Sequence, residues 1–590
     1  MPFDENKLGE IRPNQLVTTF GPGAIVDAVK DSVVVLDTNS WREKGKKIVD
    51  GRLASYLKVN CFYMPRTSHS GDIPVKSFPR IHICSNIRCG KIFDVGENFD
   101  LQCYLRFGVS CPVCHHSAYP SRFILVCENG HMEDFPWSWW VHSGNTTGCR
   151  KPGSELYLSS TGNTSTLADL IVECKCCKKK RTMIGAMQKE RFDGLVCTGH
   201  HPFRPNSRNE KCDKHVVPSQ RGASNVYFAV NKSAISIPPW INPLYNLIDE
   251  HLHMIEELKA IIGDEEGVTK AYERYFAGRY SRAEFDAALE RRLNNITEFT
   301  EIKQMEYDAI THHDDPVYAS NKKHFKTEED ILPSGLLRYF KRVIRVTRLR
   351  EVRVLIGFTR VEAPDPDADE QPNIVPLYRG GNKEKWLPAA EINGEGIFIE
   401  FNKETLTRWL SIEQVQSWSQ KYIACYKDFC ESKGWTVSVQ RDAVYVLMHT
   451  FAHLLIKQMS MSSGYSSSAI RERIYFGDRM NGILLYTGSA DKEGSLGGLV
   501  ELGKIDKLNE LMHDAFLEAL LCTNDPECAS NLPASSNSNG AACHSCCMIS
   551  ETACENSNRM LDRGLIVPLL GREGGSYFKE LVAELCQLGI

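Results

Sequence analysis

The chain has no apolar run long enough to cross a bilayer, and its opening, MPFDENKLGE, is not the charged-then-greasy segment of a secreted protein. Both absences point to a cytoplasmic protein with no membrane partner. An excess of charge is missing as well. Its 70 Lys and Arg against 74 Asp and Glu leave a net charge of −4, so attraction to nucleic acid by the whole molecule is excluded and any basic face must be local. No G-x-x-x-x-G-K-[ST] loop occurs, so the backbone cradle and lysine that hold a nucleotide are absent. The glycine-rich FGPGA at Phe20–Ala24 has no such lysine and reads as a turn, and there is no Gly-x-Ser-x-Gly elbow.

Cysteine is abundant but missing from the middle. Of 22 cysteines, thirteen fall between Cys61 and Cys212, none between Cys212 and Cys425, and seven between Cys522 and Cys586. In a reducing compartment clustered thiols mean metal rather than disulfides, whereas core cysteines would be scattered. Two cysteine-rich modules around a cysteine-poor body is the organisation implied.

The 590 residues suggest roughly three to five domains. Composition and periodicity divide them into a β-rich region over 1–80, a zinc ribbon over 81–125 and a second cysteine-rich module over 126–235. A helical region over 236–335, a mixed α/β domain over 336–521 and a zinc-binding tail over 522–590 follow. The fold class is α+β and multidomain. FGPGAIVDAV and DSVVVLD read as strands around tight turns, as do GEGIFIEF at Gly394–Phe401 and ILLYTG at Ile483–Gly488. Glu413–Lys433 and Asp442–Met461 carry helical patterns. The acidic, Pro-rich stretch from Pro364 to Pro376 reads as an exposed loop, and ASSNSNGAA at Ala534–Ala542 as a flexible insertion.

Three cysteine constellations have zinc spacing. Cys84-x4-Cys89 and Cys111-x2-Cys114 form two close pairs on separate loops, able to close a tetrahedron of thiolates with no open position for water. A second set combines Cys174, Cys177, Cys197 and Cys212, with Cys127, His131 and Cys149 near enough to compete. The third is Cys528, Cys543, Cys546 and Cys554, with Cys522 in reserve. About three structural Zn²⁺ ions follow; an iron–sulfur cluster also needs four cysteines, but no redox motif accompanies these.

Other motifs carry two readings each. His449 and His453 lie at i and i+4 in LMHTFAHLL, yet lack the glutamate of HExxH, and apolar surroundings favour buried, hydrogen-bonded imidazoles. Trp137, Trp139 and Trp140 suit a domain core better than a stacking platform. From Ser334 to Arg360, Arg338, Lys341, Arg342, Arg345, Arg348, Arg350, Arg353 and Arg360 face a single acid, Glu351, for a local charge of +7. That segment is a candidate phosphate-binding face, or a basic strand paired with acids. Lys175, Lys178, Lys179, Lys180 and Arg181 form a second basic run.

Several segments together resemble the DrmB family of DISARM anti-phage defence systems. They are RPNQLVTTFGPGAIVD at Arg12–Asp27, CENGHMEDFPW at Cys127–Trp137, LREVRVLIGFTR at Leu349–Arg360 and NGEGIFIEF at Asn393–Phe401. HTFAHLL, GYSSSAIRERIYFGD and CHSCCMISETACENSNRMLDR are similar to the zinc-binding domain that follows MrfA-type helicase cores. The resemblance implies a non-catalytic subunit that assembles with the SNF2-like helicase DrmA and helps it hold foreign DNA with little sequence preference. It also implies a zinc on four C-terminal cysteines, matched best by Cys528, Cys543, Cys546 and Cys554. The competing class is a metal-dependent nuclease or other DNA-processing enzyme using His449 and His453 near Asp478 or Glu472. Coordination separates them: an enzyme needs an open metal position there.

Overall fold

The computed structural model describes residues 10–587 except 29–30, 67–72, 97–107, 152, 163–165, 206, 294–295, 317, 319–323, 366–370, 378–384, 438, 467, 490–496, 535–537 and 573. Helix α1 (Pro13–Thr18) leads into strands β1 (Ile25–Asp27) and β2 (Ser32–Val35), which pair with β5 (Val75–Ser77) in a small antiparallel sheet. Between them, β3 (Lys44–Ile48) and β4 (Cys61–Pro65), joined by helix α2 (Gly51–Leu57), belong to a larger sheet described below.

The cysteine-rich region consists of three three-stranded sheets around one core. They are β6 (Ile81–Cys84) with β7 (Ile92–Asp94) and β8 (Ala118–Pro120); β9 (Phe123–Val126) with β10 (Met132–Asp134) and β14 (Val217–Gln220); and β11 (Leu156–Ser160), β12 (Leu170–Cys174) and β13 (Lys180–Thr182). Ile83, Phe123, Phe135, Trp140, Val172 and Phe192 are buried together, so the ribbon and the second module share one interior. Helix α3 (Trp137–His142) supplies the tryptophans. Trp137 and Trp140 are buried, and Trp139 and Trp140 both stack on Phe192 at 5.5 Å. Their indoles are core.

Strand β15 (Phe228–Ile235) precedes helices α4 (Pro243–Ile262), α5 (Asp264–Tyr275) and α6 (Arg282–Leu293), which bury Ile248, Ile255, Phe276 and Phe285 among themselves. Helix α7 (Phe299–Thr311) lies on the central sheet through Ile302 and Ile310.

That sheet has nine strands among the described residues. β15, β17 (Phe340–Thr359), β19 (Trp386–Phe401), β21 (Met480–Ser489) and β20 (Ile470–Gly477) form its main path, with β16 (Lys326–Asp330), β18 (Val375–Pro376), β3 and β4 added at the sides. Successive side chains point to opposite faces, and β17 is apolar on both. Phe340 and Val343 enter one core with Ile397 and Phe401, while Ile344 and Val346 enter another with Phe398 and Tyr475. The first core is completed by helices α8 (Glu413–Lys433), α9 (Ala443–Ser463) and α10 (Ile505–Ala519), and by Cys528, Leu561, Val567 and Phe578 of the tail. α9 is buried nearly all round, and its first turn is capped by Asp442, which accepts from the amides of Val444 and Tyr445.

Four expectations change here. Boundaries at 80, 235 and 521 do not separate domains, because β3, β4 and β15 pair into the central sheet and the tail shares its core. The segment starting at Pro364 is not wholly exposed: Asp365 is buried, its carboxylate accepting from both Arg441 Nη atoms at 2.8 and 2.9 Å and from the Tyr426 hydroxyl. Ser538–Ala542 is buried rather than flexible, packed so closely that a Cβ added at Gly540 would lie 2.1 Å from Asp562. The basic segment is an interior strand, treated below.

Candidate metal centres

Five sets of four donor atoms rich in cysteine and histidine are described below, each with all its donors within 4.8 Å of one another. In the first, Cys84 closes β6 and Cys89 follows a turn, while Cys111 and Cys114 come from the opposite loop. The Cys84 and Cys114 sulfurs are 3.4 Å apart, those of Cys89 and Cys111 3.8 Å. The amides of Asn86 and Val113 donate to the sulfurs two residues before them, at 3.4 Å. Such N–H···S bonds favour thiolate over thiol. The His116 amide draws the Cys114 thiol down to about 6. All four cysteines expected of this set are brought together.

The second expected set is not. Cys197 and Cys212 meet Cys127 and His131, whereas Cys174 and Cys177 meet Cys149 and His142. In the outer centre the Cys127 sulfur lies 3.2 Å from His131 Nδ1, 3.6 Å from Cys197 and 4.0 Å from Cys212. The hydrogen bond from Cys197, ahead of that from His131, holds the Cys127 thiol down to about 4. Glu210 stands 3.6 Å from the far nitrogen of His131, the usual place for a group that orients a ligating imidazole. In the inner centre Cys149 and Cys174 are 3.6 Å apart and His142 Nε2 is 3.4 Å from Cys177. His142 Nδ1 donates to the Ser138 carbonyl at 2.6 Å, leaving the Nε2 lone pair for a metal. The reason for the regrouping is topological. The β12–β13 turn carries Cys174 and Cys177 against the end of α3, while Cys197 and Cys212 flank the end of β9.

At the C-terminus Cys522, Cys528, Cys543 and Cys546 converge, with sulfurs 3.4 to 3.7 Å apart. The reserve ligand and the first-choice one are both used. The Asn524 amide donates to Cys522 at 3.4 Å, and a hydrogen bond from Cys547 pulls the Cys546 thiol down to about 4. Cys554 is absent from this set. It lies against His449, in a fifth group with His453 and Glu472. Asp478 takes no part.

Residues 12–228 match a family model described as a domain of unknown function (DUF8724), and residues 451–547 match that of the MrfA Zn-binding domain. Over 572 residues the sequence is 44% identical to the DISARM protein DrmB of Bacillus paralicheniformis, covering 94% of this chain and all of that one. The chain belongs to the DrmB family. Within this DrmB-family chain, three of the centres fall inside the first matched region and the Cys522–Cys546 centre inside the second. The matched zinc-binding domain and the thiolate-rich donor sets together support zinc as the metal.

Most of the basic segment of the DrmB-family chain is strand β17, and most of its charges are answered by acids, several of them on neighbouring strands. Lys341 and Arg342 pair with Glu400 at 3.1 and 2.8 Å, Arg345 with Asp330 and Glu328 at 2.7 and 3.2 Å, and Arg350 with Glu391. Arg353 is buried on Glu351 at 2.8 Å, and Arg338 pairs with Glu580. Arg360 is fully buried and donates to the carbonyls of Gly130, Gly23 and Val226. Arg348 is exposed. The segment does not form an open phosphate face, because acids across the sheet hold Arg342, Arg345 and Arg350, and Glu351, Glu580 and backbone carbonyls hold Arg353, Arg338 and Arg360.

An exposed basic patch does surround the inner centre. Lys175, Lys178, Lys179 and Lys180 occupy the β12–β13 turn, and Arg150 and Lys151 stand beside it, all exposed. Arg181 is not part of the free surface, since it donates to the Trp140 carbonyl and covers that indole at 3.6 Å.

Among the described residues no helix is long and apolar enough to cross a membrane.

Proposed function

We propose that this chain is the non-catalytic, zinc-stabilised subunit of a DISARM defence complex, assembling in the cytoplasm with the SNF2-like helicase DrmA and helping it hold foreign DNA. The observation that carries the reading is the 44% identity to a DISARM DrmB protein over 94% of the chain. Two further features support it. The sequence has no phosphate-binding loop, so ATP-driven work falls to the partner. Four of the metal centres contain three or four thiolates each, closed sets that hold loops in place and leave no position for substrate water.

DNA contact belongs to the lysine-rich turn at the inner centre rather than to β17. A short, metal-braced loop bearing Lys175, Lys178, Lys179 and Lys180 holds ammonium groups in solvent, where they can meet backbone phosphates without regard to sequence.

Co-expression with the helicase of the same system tests this. The two chains should co-purify, ATP hydrolysis should follow the helicase, and DNA should be retained more tightly by the pair than by either alone. A homogeneous sample of this chain that hydrolyses ATP, or fails to bind the helicase at micromolar concentration, refutes the proposal.

A further inference from the structure

We infer that His449, His453, Glu472 and Cys554 form a fifth, four-coordinate zinc site that clamps the C-terminal tail to helix α9 and strand β20. The inference goes beyond the four thiolate-rich centres of the proposed function and rests on that reading only for the identity of the ion. His449 and Cys554 lie on either side of the matched zinc-binding region, residues 451–547, so this group is not confined to it.

The geometry is that of a ligand cage. The two histidines are one helical turn apart on α9, with rings 4.6 Å between centroids. His449 Nδ1 faces the Met560 carbonyl at 3.3 Å and His453 Nδ1 that of Cys547 at 2.9 Å, so each Nδ1 carries the proton. Both Nε2 lone pairs then point at the same carboxylate oxygen, Glu472 Oε1, at 2.9 and 3.3 Å, and His449 Nε2 is also 3.2 Å from Cys554 sulfur. Lone pairs facing a carboxylate in a fully buried site repel unless a cation lies between them. Two buried imidazolium ions satisfy that need at a high desolvation cost; one divalent ion satisfies it with ordinary coordination.

Two independent details agree. Cys554 sulfur accepts from the amide of Asn556 at 3.2 Å, the same donor two residues onward that serves Cys84, Cys111, Cys197 and Cys522 in the other centres, and from the amide of Asn558 as well. Glu472 Oε1, the oxygen that faces both Nε2 atoms, also accepts from the Glu555 amide at 3.1 Å, which fixes the carboxylate in place, while Oε2 is buried with no hydrogen-bond partner. Two imidazoles, a thiolate and a carboxylate suit Zn²⁺, and with four donors present the site is closed. It is therefore structural, which answers the enzyme reading of His449 and His453.

Zinc counting combined with X-ray absorption at the zinc edge tests this on the full chain. Filling all five sites gives five ions with a mean of three sulfur ligands each; filling only the four thiolate-rich sites gives four ions with a mean of three and a half. Cys554→Ser and His453→Gln should each remove one ion and raise the mean sulfur number, whereas Cys522→Ser should remove one and lower it. Wild-type protein with four ions at three and a half sulfurs overturns the fifth site while leaving the others standing, whether or not any variant folds. A folded Cys554→Ser chain with unchanged zinc content also overturns it.

Discussion

Replacing Lys178, Lys179 and Lys180 together by glutamine should flatten the salt dependence of DNA binding. All three are exposed, and their present contacts are weak: Lys180 lies 3.4 Å from Glu173 in an ion pair whose lysine is 59% exposed, and Lys179 reaches the Asn145 carbonyl. Exposed pairs of this kind contribute about 0–1 kcal/mol, so the fold should survive. Each lost phosphate contact lowers the slope of log affinity against log salt by about 0.9 on duplex DNA. Three contacts therefore account for a slope of about 2.7, or roughly 40-fold in affinity between about 50 and 200 mM salt. The comparison is the triple replacement of Arg342, Arg345 and Arg348. Arg342 and Arg345 are held by Glu400 and Asp330, so only exposed Arg348 is available and the slope should fall by no more than about 0.9. Fluorescence anisotropy of a labelled duplex, titrated with the helicase pair at several salt concentrations, measures both slopes. The reasoning fails if the lysine variant keeps its zinc and the wild-type slope, or if the arginine variant folds and loses two or more units.

Two stability effects follow from charges held wholly or partly out of water. Burial pushes the Asp134 carboxyl up to about 6 although its Oδ1 accepts from the Ile81 amide at 3.0 Å. A raised carboxyl means the folded chain binds that proton more tightly than the unfolded one, so its stabilising contribution is present below about pH 4 and is lost as pH rises through 6. Asp134→Asn keeps the acceptor and removes the charge; its advantage over wild type should grow by up to about 3 kcal/mol from pH 4 to 7 in paired unfolding curves. An advantage independent of pH contradicts this. Arg473→Ala should cost about 3–5 kcal/mol, because it strands Glu306, now gripped at 2.6 and 3.0 Å and fully buried. Arg473→Met with Glu306→Leu should recover most of that loss; a single alanine variant with an unchanged melting temperature refutes the pairing.

What could be read in advance was local. The Cys84–Cys114 set was legible because each of its pairs sits on one short turn and the two turns face each other across one small sheet. Helix α8 runs over the same residues, Glu413–Lys433, that its periodicity marks. Cys127, His131 and Cys149 were legible as competing ligands, but how they group with Cys174, Cys177, Cys197 and Cys212 was not, since spacing records distance along the chain and these ligands interleave. His142 was missed altogether. It ends an aromatic helix, WSWWVH, where a histidine reads as core, and only its position seven residues before Cys149 hinted at more. Glu472 entered only as a neighbour of the histidines, because its role depends on β20 lying beside α9. The basic segment misled for a related reason. Its charge could be counted, but the acids that neutralise it, Glu400 and Asp330, sit on other strands and are found only through register.

The interleaving of the two central cysteine centres has a consequence for biosynthesis. His142, Cys149, Cys174 and Cys177 all lie inside the stretch bounded by His131 and Cys197, so one metal knot is tied within the loop of another. A ribosome completes the inner set first, and Cys212 follows Cys177 by several seconds at ordinary elongation rates of about 5–20 residues per second. During that interval Cys127 and His131 wait as a half-site beside a complete pair of thiols at Cys174 and Cys177. Closing the longer loop costs under about 1 kcal/mol more than closing the shorter one, so entropy alone does not stop the wrong partners from meeting. Prompt loading of the inner knot does, by removing its thiols from competition. The supply of metal during translation thus acts as a proofreading reagent for this module, and starved cells should accumulate chains that are fully synthesised but wrongly tied.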